Sequence, residues 1–390
     1  MIRVGFSFEM TGSWIGGINY FRSLIAAIIA LPERHIVPVI FAAASDTGHL
    51  VGEFPDVEII PTDLLARKTP VWWGRRLAQR LTGRDLLLER LLKQHRIHIL
   101  SHSGSLGRGS SIPSIGWVAD FQHRRLPELC SDSERRARDQ TIHRWCRECA
   151  ALFLSSQSAK RDFAAFYGAE LIPLFVVPFV PATRPLAADK AARVIGRYHL
   201  PSRYFYVPNQ FWVHKNHRLV IAAARLLSER GTAIEIVFTG GAQDYRHPQH
   251  YPDLMKLAQP IAAHTHFLGV VPYQDVLALM QGALAVINPS RFEGWSTTAE
   301  EARNLGKSIL LSDIDVHREQ APPRAVFFDP DRVEDLAEKM WSAWHNAGGA
   351  ELGQMDAAAV EQRQRAFGAA FQDAVLMTHS AGLRRVGKHE

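Results

Sequence analysis

Short apolar runs alternate with longer amphipathic segments along the whole chain. In the first half the runs read as buried strands, because Ile, Val, Leu and Phe dominate them and charged residues are scarce. They cover residues 2–8, 37–43, 57–60, 97–101, 115–118, 151–154 and 174–177. A glycine-bearing loop at 11–18 follows the first run, and a helix from Asn19 to Leu31 follows the loop. Strands that alternate with helices predict a parallel sheet covered by helices on both faces.

The same alternation restarts after a proline-rich stretch at residues 178–188, which predicts a linker. The second series of strands covers residues 204–207, 234–239, 265–268, 284–288, 308–312 and 325–328. Helices are predicted at 217–229, from about 273, 296 and 333, and finally over 357–383. We therefore predict an α/β fold with two doubly wound parallel-sheet domains, at 1–182 and 183–372, followed by a C-terminal helix at 373–390. Ligands bind at the carboxyl ends of the strands in such folds.

Composition limits the class of protein. The chain has 390 residues, 47% of them hydrophobic and 22% charged, which is enough apolar material for two packed domains. No apolar run reaches the roughly 18 residues that span a bilayer, and the N-terminus lacks the pattern of a signal peptide. The three cysteines, Cys130, Cys146 and Cys149, cannot form a disulfide framework, so a reducing, cytoplasmic location is expected.

The net charge of +6 lies entirely in the first half of the chain. Residues 1–190 hold 24 Lys and Arg against 18 Asp and Glu, whereas the remainder holds 21 of each. Residues 65–100 are the most basic, and Trp72 and Trp73 lie among their arginines. Arginine beside tryptophan suits an anionic membrane surface, with a solvated basic helix as the alternative. We expect peripheral docking on the inner face of the cytoplasmic membrane and no nucleic acid partner, since no nucleic-acid-binding module is present.

The segment from Asn288 to Ala302 places two carboxylates around the predicted start of a helix. Glu293 comes just before this helix, and Glu301 lies inside it. Ser296 and Thr297 are typical first-turn residues, and the free N–H groups of a helix start favour phosphate. The first glutamate can therefore lie at the mouth of a ligand site into which the second points.

This segment resembles the Glu–seven residues–Glu motif of retaining glycosyltransferases of the GT-B fold, in the large family-4, or group 1, set. Further blocks are similar to the same family: residues 208–217, 306–319, 328–330 and 117–128. The resemblance is strong over about 200–345 and looser over 1–180. It implies two Rossmann-like domains facing a cleft, with the acceptor bound by the first and a nucleotide-sugar by the second. It also implies that the final helix, at 373–390, crosses back to the first domain.

The resemblance also implies roles at the donor site. Glu301 would bind the ribose hydroxyls, Glu293 the donor sugar, and Lys215 the leaving diphosphate, where negative charge develops. Backbone groups of two segments would approach sugar and phosphates closely, namely Gly294, Trp295, Ser296 and Thr297, and the loop glycines Gly16 and Gly17. Asn209 stands where many members have an arginine, and it lines the expected donor site with Gln210; Arg291 is one candidate for the missing charge.

An acceptor-side residue near the reactive carbon is also expected. In many relatives this is a histidine of a His-Asp pair, which is replaced here by Ala119-Asp120, and His123 follows three residues later. Either Asp120 or His123 could orient the acceptor hydroxyl or stabilise the cationic sugar, and both remain candidates.

The implied reaction transfers a hexose from a nucleotide-diphosphate sugar to a hydroxyl of a glycan or lipid-linked acceptor, with retention at the anomeric carbon. The implied pathway is cell-surface polysaccharide or lipopolysaccharide biosynthesis. We expect no cofactor and no metal, because the Asp-x-Asp sequences at 313–315 and 329–331 follow predicted strands and are assigned to structural loops. A sugar-nucleotide epimerase of GT-B-like architecture and a non-catalytic nucleotide-sugar-binding subunit are the alternatives.

Overall fold

The computed structural model describes residues 1–9, 15–168, 171–346 and 356–386. The chain divides into two compact units. Unit 1 contains Met1–Phe121, Asp132–Ala182 and the chain from Glu361 onward, and unit 2 contains Gln122–Ser131 and Thr183–Val360. The proline-rich stretch predicted as a linker contains the junction between Ala182 and Thr183.

Unit 1 is built on a parallel sheet of seven strands in the order β3-β2-β1-β4-β5-β6-β7. Its strands are β1 Ile2–Phe8, β2 Ile36–Ala42, β3 Glu58–Pro61, β4 Ile99–Ser101, β5 Ser114–Val118, β6 Ala151–Leu154 and β7 Leu174–Val176. The helices up to the end of this sheet are α1 Ile15–Ile29, α2 Thr47–Glu53, α3 Pro70–Thr82, α4 Leu86–Gln94, α5 Gln122–Arg125, α6 Asp132–Glu148 and α7 Gln157–Tyr167. Of these, the short α5 belongs to unit 2.

Unit 2 repeats this architecture with six parallel strands in the order β10-β9-β8-β11-β12-β13. Its strands are β8 Phe205–Pro208, β9 Ile236–Thr239, β10 Thr265–Phe267, β11 Ala285–Asn288, β12 Ile309–Ser312 and β13 Ala325–Phe328. Its helices are α8 Ala188–Gly196, α9 His217–Glu229, α10 His250–Ala258, α11 Tyr273–Gly282, α12 Thr297–Asn304, α13 Asp315–Gln320 and α14 Val333–His345. A 3-10 turn, Val213–Lys215, connects β8 to α9.

The predicted fold class is confirmed. All thirteen predicted strands are present within two residues of their expected bounds, and all pair in parallel. Strands such as β9, β11 and β12 are buried along their whole length. Helices cover both faces of a parallel sheet, so its strands appear in sequence as continuous apolar runs. Several helices were not placed individually by the sequence analysis, among them α2, α7, α8 and α10.

A single long helix, α15 Ala357–Val386, ends the described chain and packs on unit 1. The Gln372 side chain accepts a hydrogen bond from the N–H of His35 at 2.8 Å and donates to the carbonyl of Glu33 at 3.0 Å. The ring of Phe371 stacks on Phe6 and Phe153. The expected boundary at 372 therefore lies inside this helix, whose apolar positions already bury against unit 1. Within the described residues, no helix is both long and apolar enough to cross a membrane.

Candidate active site

The carboxyl ends of two neighbouring strands of unit 2 bring Lys215 and Glu293 together. Lys215 closes the 3-10 turn after β8, and Glu293 lies in the turn between β11 and α12. The Lys215 Nζ donates to Glu293 Oε1 at 2.7 Å and Oε2 at 2.8 Å, and the side chains are 16% and 10% exposed. Burial is the largest single influence and would raise the pKa of Glu293, but the charge and hydrogen bonds of Lys215, together with the nearby His317 and His214, outweigh it and hold the pKa at about 2. Glu293 is therefore a carboxylate at neutral pH.

Glu301 is a buried carboxyl of the same unit, and its environment differs from that of Glu293. It lies on α12, 5% exposed, and accepts a hydrogen bond from the Tyr273 hydroxyl at 2.8 Å. Burial raises its pKa to about 7, against the smaller lowering effect of the Tyr273 hydrogen bond. Tyr273 was missed in the sequence because it lies on α11, 28 residues away. A ligand that donates hydroxyl groups to Glu301 would favour its ionised form.

The turn between the two glutamates is fixed by hydrogen bonds within the protein. Ser296, which was predicted to lie in the first turn, is the N-cap of α12: its Oγ accepts from the N–H of Ala299 at 3.1 Å and from Asn288 Nδ2 at 2.7 Å. Its own N–H donates to Gln320 Oε1 at 3.1 Å, so this N–H is already used. Gly294 and Trp295 are partly exposed and Thr297 is exposed. The N–H of Ala299 is thus capped, whereas those of Thr297 and Thr298 have no acceptor within the helix, and this end of a helix favours anions.

Asn209 does not replace the missing arginine with another charge. Its side chain is buried and hydrogen-bonds to Asn288 at 3.4 Å and Thr298 at 3.3 Å, which ties β8 to β11 and α12. Arg291 is half exposed and pairs with Asp331 at 2.6 Å, a surface ion pair. Neither residue therefore places a cation beside Lys215 in this structure.

The neighbouring strand β9 contributes a glycine whose importance the sequence did not show. Gly240 has φ +142°, and a Cβ there would lie 2.2 Å from the carbonyl oxygen of Asn209. Only glycine allows this approach of two loops. Next to it, the N–H of Gly241 donates to Gln210 Oε1 at 2.8 Å. Gln210 thus links the loops after β8 and β9.

The two acceptor-side candidates fall in different units. Asp120 follows β5 in unit 1, where its carboxylate lies 3.8 Å from Arg138. His123 is on α5, which is grouped with unit 2, and its side chain is 1% exposed. Only His123 therefore shares a unit with Lys215 and Glu293.

The glycine pair near the N-terminus is not in a loop as expected. The helix α1 begins at Ile15, so Gly16 and Gly17 lie in its first turn, and Gly17 is buried. Glycine accepts helical geometry at a cost of about 1 kcal/mol, which the apolar face of the following turns offsets. The rest of the predicted loop, Thr11–Trp14, lies outside the described residues.

Unit 1 has a cavity of about 1030 Å³ at the carboxyl ends of β1 and β4. Trp72 and Arg76 of α3, Trp145 of α6, and Glu9 and Ser103 from the strand ends are among its lining residues. Glu9 is held on both oxygens by Arg76 and is also paired with Arg75. The lining of the cavity therefore combines tryptophan rings with a carboxylate, that of Glu9, whose charge is paired with two arginines.

The predicted basic surface of α3 needs correction. Arg75 is 4% exposed and is buried against Asp85, while Arg84 pairs with Glu89. Large apolar side chains spaced four residues apart face solvent instead, namely Trp73 at 58%, Leu77 at 60% and Leu81 at 78% exposure. Exposed cations occur in the same stretch of the chain, namely Arg67, Lys68, Arg80 and Arg90. We call Trp73, Leu77 and Leu81 the α3 apolar face.

Comparison with known proteins supports the resemblance found in the sequence. Residues 194–362, which contain Lys215, Glu293 and Glu301, match the family model of glycosyl transferases group 1. No curated protein sequence matches the chain. Among the described residues, no three His, Cys, Asp or Glu side chains are grouped as metal ligands would be.

Three solved structures share the fold over almost the entire chain. A glycosyltransferase from Rickettsia africae is 14% identical, with a TM-score of 0.66 and 98% of each chain covered. HepE of Anabaena, solved with UDP and glucose, is 13% identical, with a TM-score of 0.62 and 100% of each chain covered. WaaG, a glycosyltransferase involved in lipopolysaccharide biosynthesis, is 15% identical, with a TM-score of 0.58 and 97% and 98% covered. The second domain of the chain thus matches the group 1 glycosyltransferase family, and the chain as a whole shares the GT-B fold of these structures.

Proposed function

We propose that the protein transfers a hexose from a nucleotide-diphosphate sugar to a hydroxyl of a glycan or lipid-linked acceptor, with retention at the anomeric carbon and without a divalent metal. The observation that carries this proposal is the buried Lys215–Glu293 pair in the same unit as the buried carboxyl of Glu301. The Lys215 cation suits a phosphate, and the ionised carboxylate of Glu293 suits a sugar. The carboxyl of Glu301, whose pKa lies near 7, suits a ribose.

The Lys215–Glu293 pair is arranged to exchange partners when the donor binds. A diphosphate carries more negative charge than a carboxylate, so it competes for the Lys215 ammonium. Glu293 can then accept hydrogen bonds from the donor sugar. As the bond from the anomeric carbon to the diphosphate oxygen breaks, negative charge builds on the leaving group, and Lys215 stabilises it.

Retention requires the acceptor oxygen to bond to the anomeric carbon on the face that the diphosphate leaves. The acceptor hydroxyl must lose its proton as this bond forms, and the departing diphosphate oxygen on the same face is a base within reach. We assign the orientation of the acceptor hydroxyl to His123, because it belongs to the same unit as Lys215. Asp120, which lies near Arg138, is the alternative.

The cavity of unit 1 and the α3 apolar face support a lipid-linked acceptor. Three tryptophans line the cavity, Trp72, Trp73 and Trp145, and their rings suit the apolar faces of sugar rings. The same helix exposes Trp73, Leu77 and Leu81 among cations, the composition of an interfacial helix that meets anionic lipid. WaaG, which shares the fold, is involved in lipopolysaccharide biosynthesis, and we propose a related surface-glycan pathway on the inner face of the cytoplasmic membrane.

Thermal unfolding with a panel of nucleoside diphosphates and nucleotide-sugars, each with and without EDTA, tests the donor site. A ligand that binds only the folded state raises the Tm. We expect one base to give a shift that EDTA leaves unchanged and Lys215→Ala abolishes. Lys339→Ala, which removes a surface lysine paired with Asp335, is the matched control and should keep the shift. No shift from any nucleotide would contradict the proposal.

Two other outcomes distinguish the alternative functions. Conversion of the nucleotide-sugar to its epimer without acceptor would identify an epimerase. Binding of a nucleotide-sugar without transfer to any acceptor would indicate a non-catalytic subunit.

A further inference from the structure

A single arginine of unit 2 contacts both ends of the segment that carries His123. Arg246 Nη1 donates to Gln122 Oε1 at 3.2 Å and lies 3.8 Å from Cys130 Sγ. Gln122 is the first residue of the Gln122–Ser131 segment and Cys130 its last but one, and both are buried. In sequence this segment interrupts unit 1, yet it is grouped with unit 2.

The same guanidinium is fixed to the loop that carries Lys215. Arg246 Nε donates to Asp244 Oδ1 at 3.3 Å, and the other Asp244 oxygen accepts from the N–H of Val213 at 3.3 Å. The guanidinium also lies over the Trp212 ring, 5.5 Å from its centroid. The arginine and aspartate side chains are 8% and 1% exposed. The connection from the segment to the Lys215 turn is therefore short, buried and charge-assisted.

The electrostatics of the loop agree with this placement. Burial, aided by the charges of Lys215 and Arg246, lowers the pKa of His214 to about 3, against the smaller raising effects of Glu293 and Asp244. The charges of Lys215 and Arg246 therefore both act on the His214 ring.

We propose that Arg246 is a positioning residue, which holds the Gln122–Ser131 segment, and with it His123, against the loop that carries Lys215. Arginine suits this role because its planar guanidinium can donate to Asp244 and Gln122 at the same time. A lysine ammonium at the end of a flexible side chain does not reproduce this geometry. The effect of Arg246 on catalysis rests on the proposed function, but its hold on the segment does not.

Cys130 provides a direct test of that hold. Cys130 is buried, with 9% of the residue exposed, so opening of the segment should increase the access of iodoacetamide to its thiol. We would measure the alkylation rate of Cys130 by peptide mass spectrometry, with Cys146 of unit 1 as the internal reference. The variants are Arg246→Lys, which keeps a cation for Asp244, and Gln122→Leu, which removes the acceptor. Arg203→Lys is the matched control, because Arg203 also stacks on a tryptophan, Trp344, but lies away from the segment.

We expect Arg246→Lys and Gln122→Leu each to raise the alkylation rate of Cys130 several-fold, while Cys146 and the Arg203→Lys protein stay unchanged. In a transfer assay both variants should lower kcat by about tenfold or more, as misplacement of a reacting group does, with donor affinity unchanged. A purely structural defect would lower donor affinity too.

Unchanged alkylation of Cys130 in both variants would overturn the proposal, whatever happens to kcat. Loss of donor affinity together with kcat would overturn it as well. Because alkylation needs no substrate, it decides on Arg246 even if the wild type shows no transfer, a result that would count against the proposed function instead.

Discussion

Replacing Glu301 with glutamine should make the protein more stable and a poorer binder of its donor. Burial raises the pKa of Glu301 from 4.5 to about 7, so the folded chain holds this proton more tightly than the unfolded chain does. The stability linked to this group is therefore fully present below about pH 4.5 and is lost as the pH rises to 7. A change of this size corresponds to about 3 kcal/mol.

Glu301→Gln removes that cost, because the amide is neutral at every pH and its oxygen can still accept from Tyr273. Wild type and variant should unfold at the same urea concentration near pH 4.5, and the variant should be about 3 kcal/mol more stable at pH 8. The affinity for the donor should fall, in contrast to the gain in stability. An amide offers one acceptor where a carboxylate offers two, and a lost hydrogen bond to a charged group costs about 1.5–3 kcal/mol, or roughly tenfold or more in Kd.

Urea unfolding from pH 4.5 to 8, with the transition of unit 2 fitted separately, and calorimetric titration with the nucleoside diphosphate measure both effects. Glu338→Gln, at an exposed glutamate of α14, is the control and should change neither. A Glu301→Gln protein that is no more stable than wild type at pH 8 would refute the desolvation argument. Undiminished donor affinity would show that Glu301 does not contact the donor.

Three further predictions follow from the buried pair, the glycine and the exposed helix face. Lys215→Met and Glu293→Gln should each lower the free energy of unfolding by about 3–5 kcal/mol, and the double variant should recover much of this lost stability. If the two losses simply add in the double-mutant cycle, the pairing is contradicted. Gly240→Ala should lower stability and donor affinity through its clash with Asn209, whereas Gly196→Ala, with no atom within 4 Å, should not alter donor affinity. Replacing Trp73, Leu77 and Leu81 with Gln should abolish flotation with anionic liposomes but keep transfer to a water-soluble acceptor. Trp341→Gln is the control and should float as the wild type does. If the triple variant floats equally well, the α3 apolar face is not the membrane contact.

The strands and the donor-side residues could be predicted from sequence for physical reasons. A strand such as β11 is buried on both faces, so its residues are apolar without interruption. Glu293, Ser296 and Glu301 lie within one strand–turn–helix segment, so the chain order itself places them near one another. Their relation to Lys215 needed the sheet order, in which β8 and β11 are neighbours.

What the sequence did not show depends on partners distant in the chain. Arg75 reads as a surface cation beside tryptophan, but Glu9, 66 residues earlier, and Asp85 bury it. The four-residue spacing of Trp73, Leu77 and Leu81 was present in the sequence, yet periodicity alone does not say which face of a helix is covered. The grouping of Gln122–Ser131 with unit 2 likewise depends on Arg246, 124 residues after Gln122.

The central claim is retaining transfer from a nucleotide-sugar, and the stereochemistry of the product tests it most directly. The nucleotide-sugar that raises the Tm is incubated with the enzyme, EDTA and a set of glycan and lipid-linked acceptors, and the product is examined by mass spectrometry and NMR. We predict a glycoside with the anomeric configuration of the donor, formed in EDTA by wild type and Lys339→Ala but not by Lys215→Ala. A product of inverted configuration, or one formed only with added metal, would contradict the account.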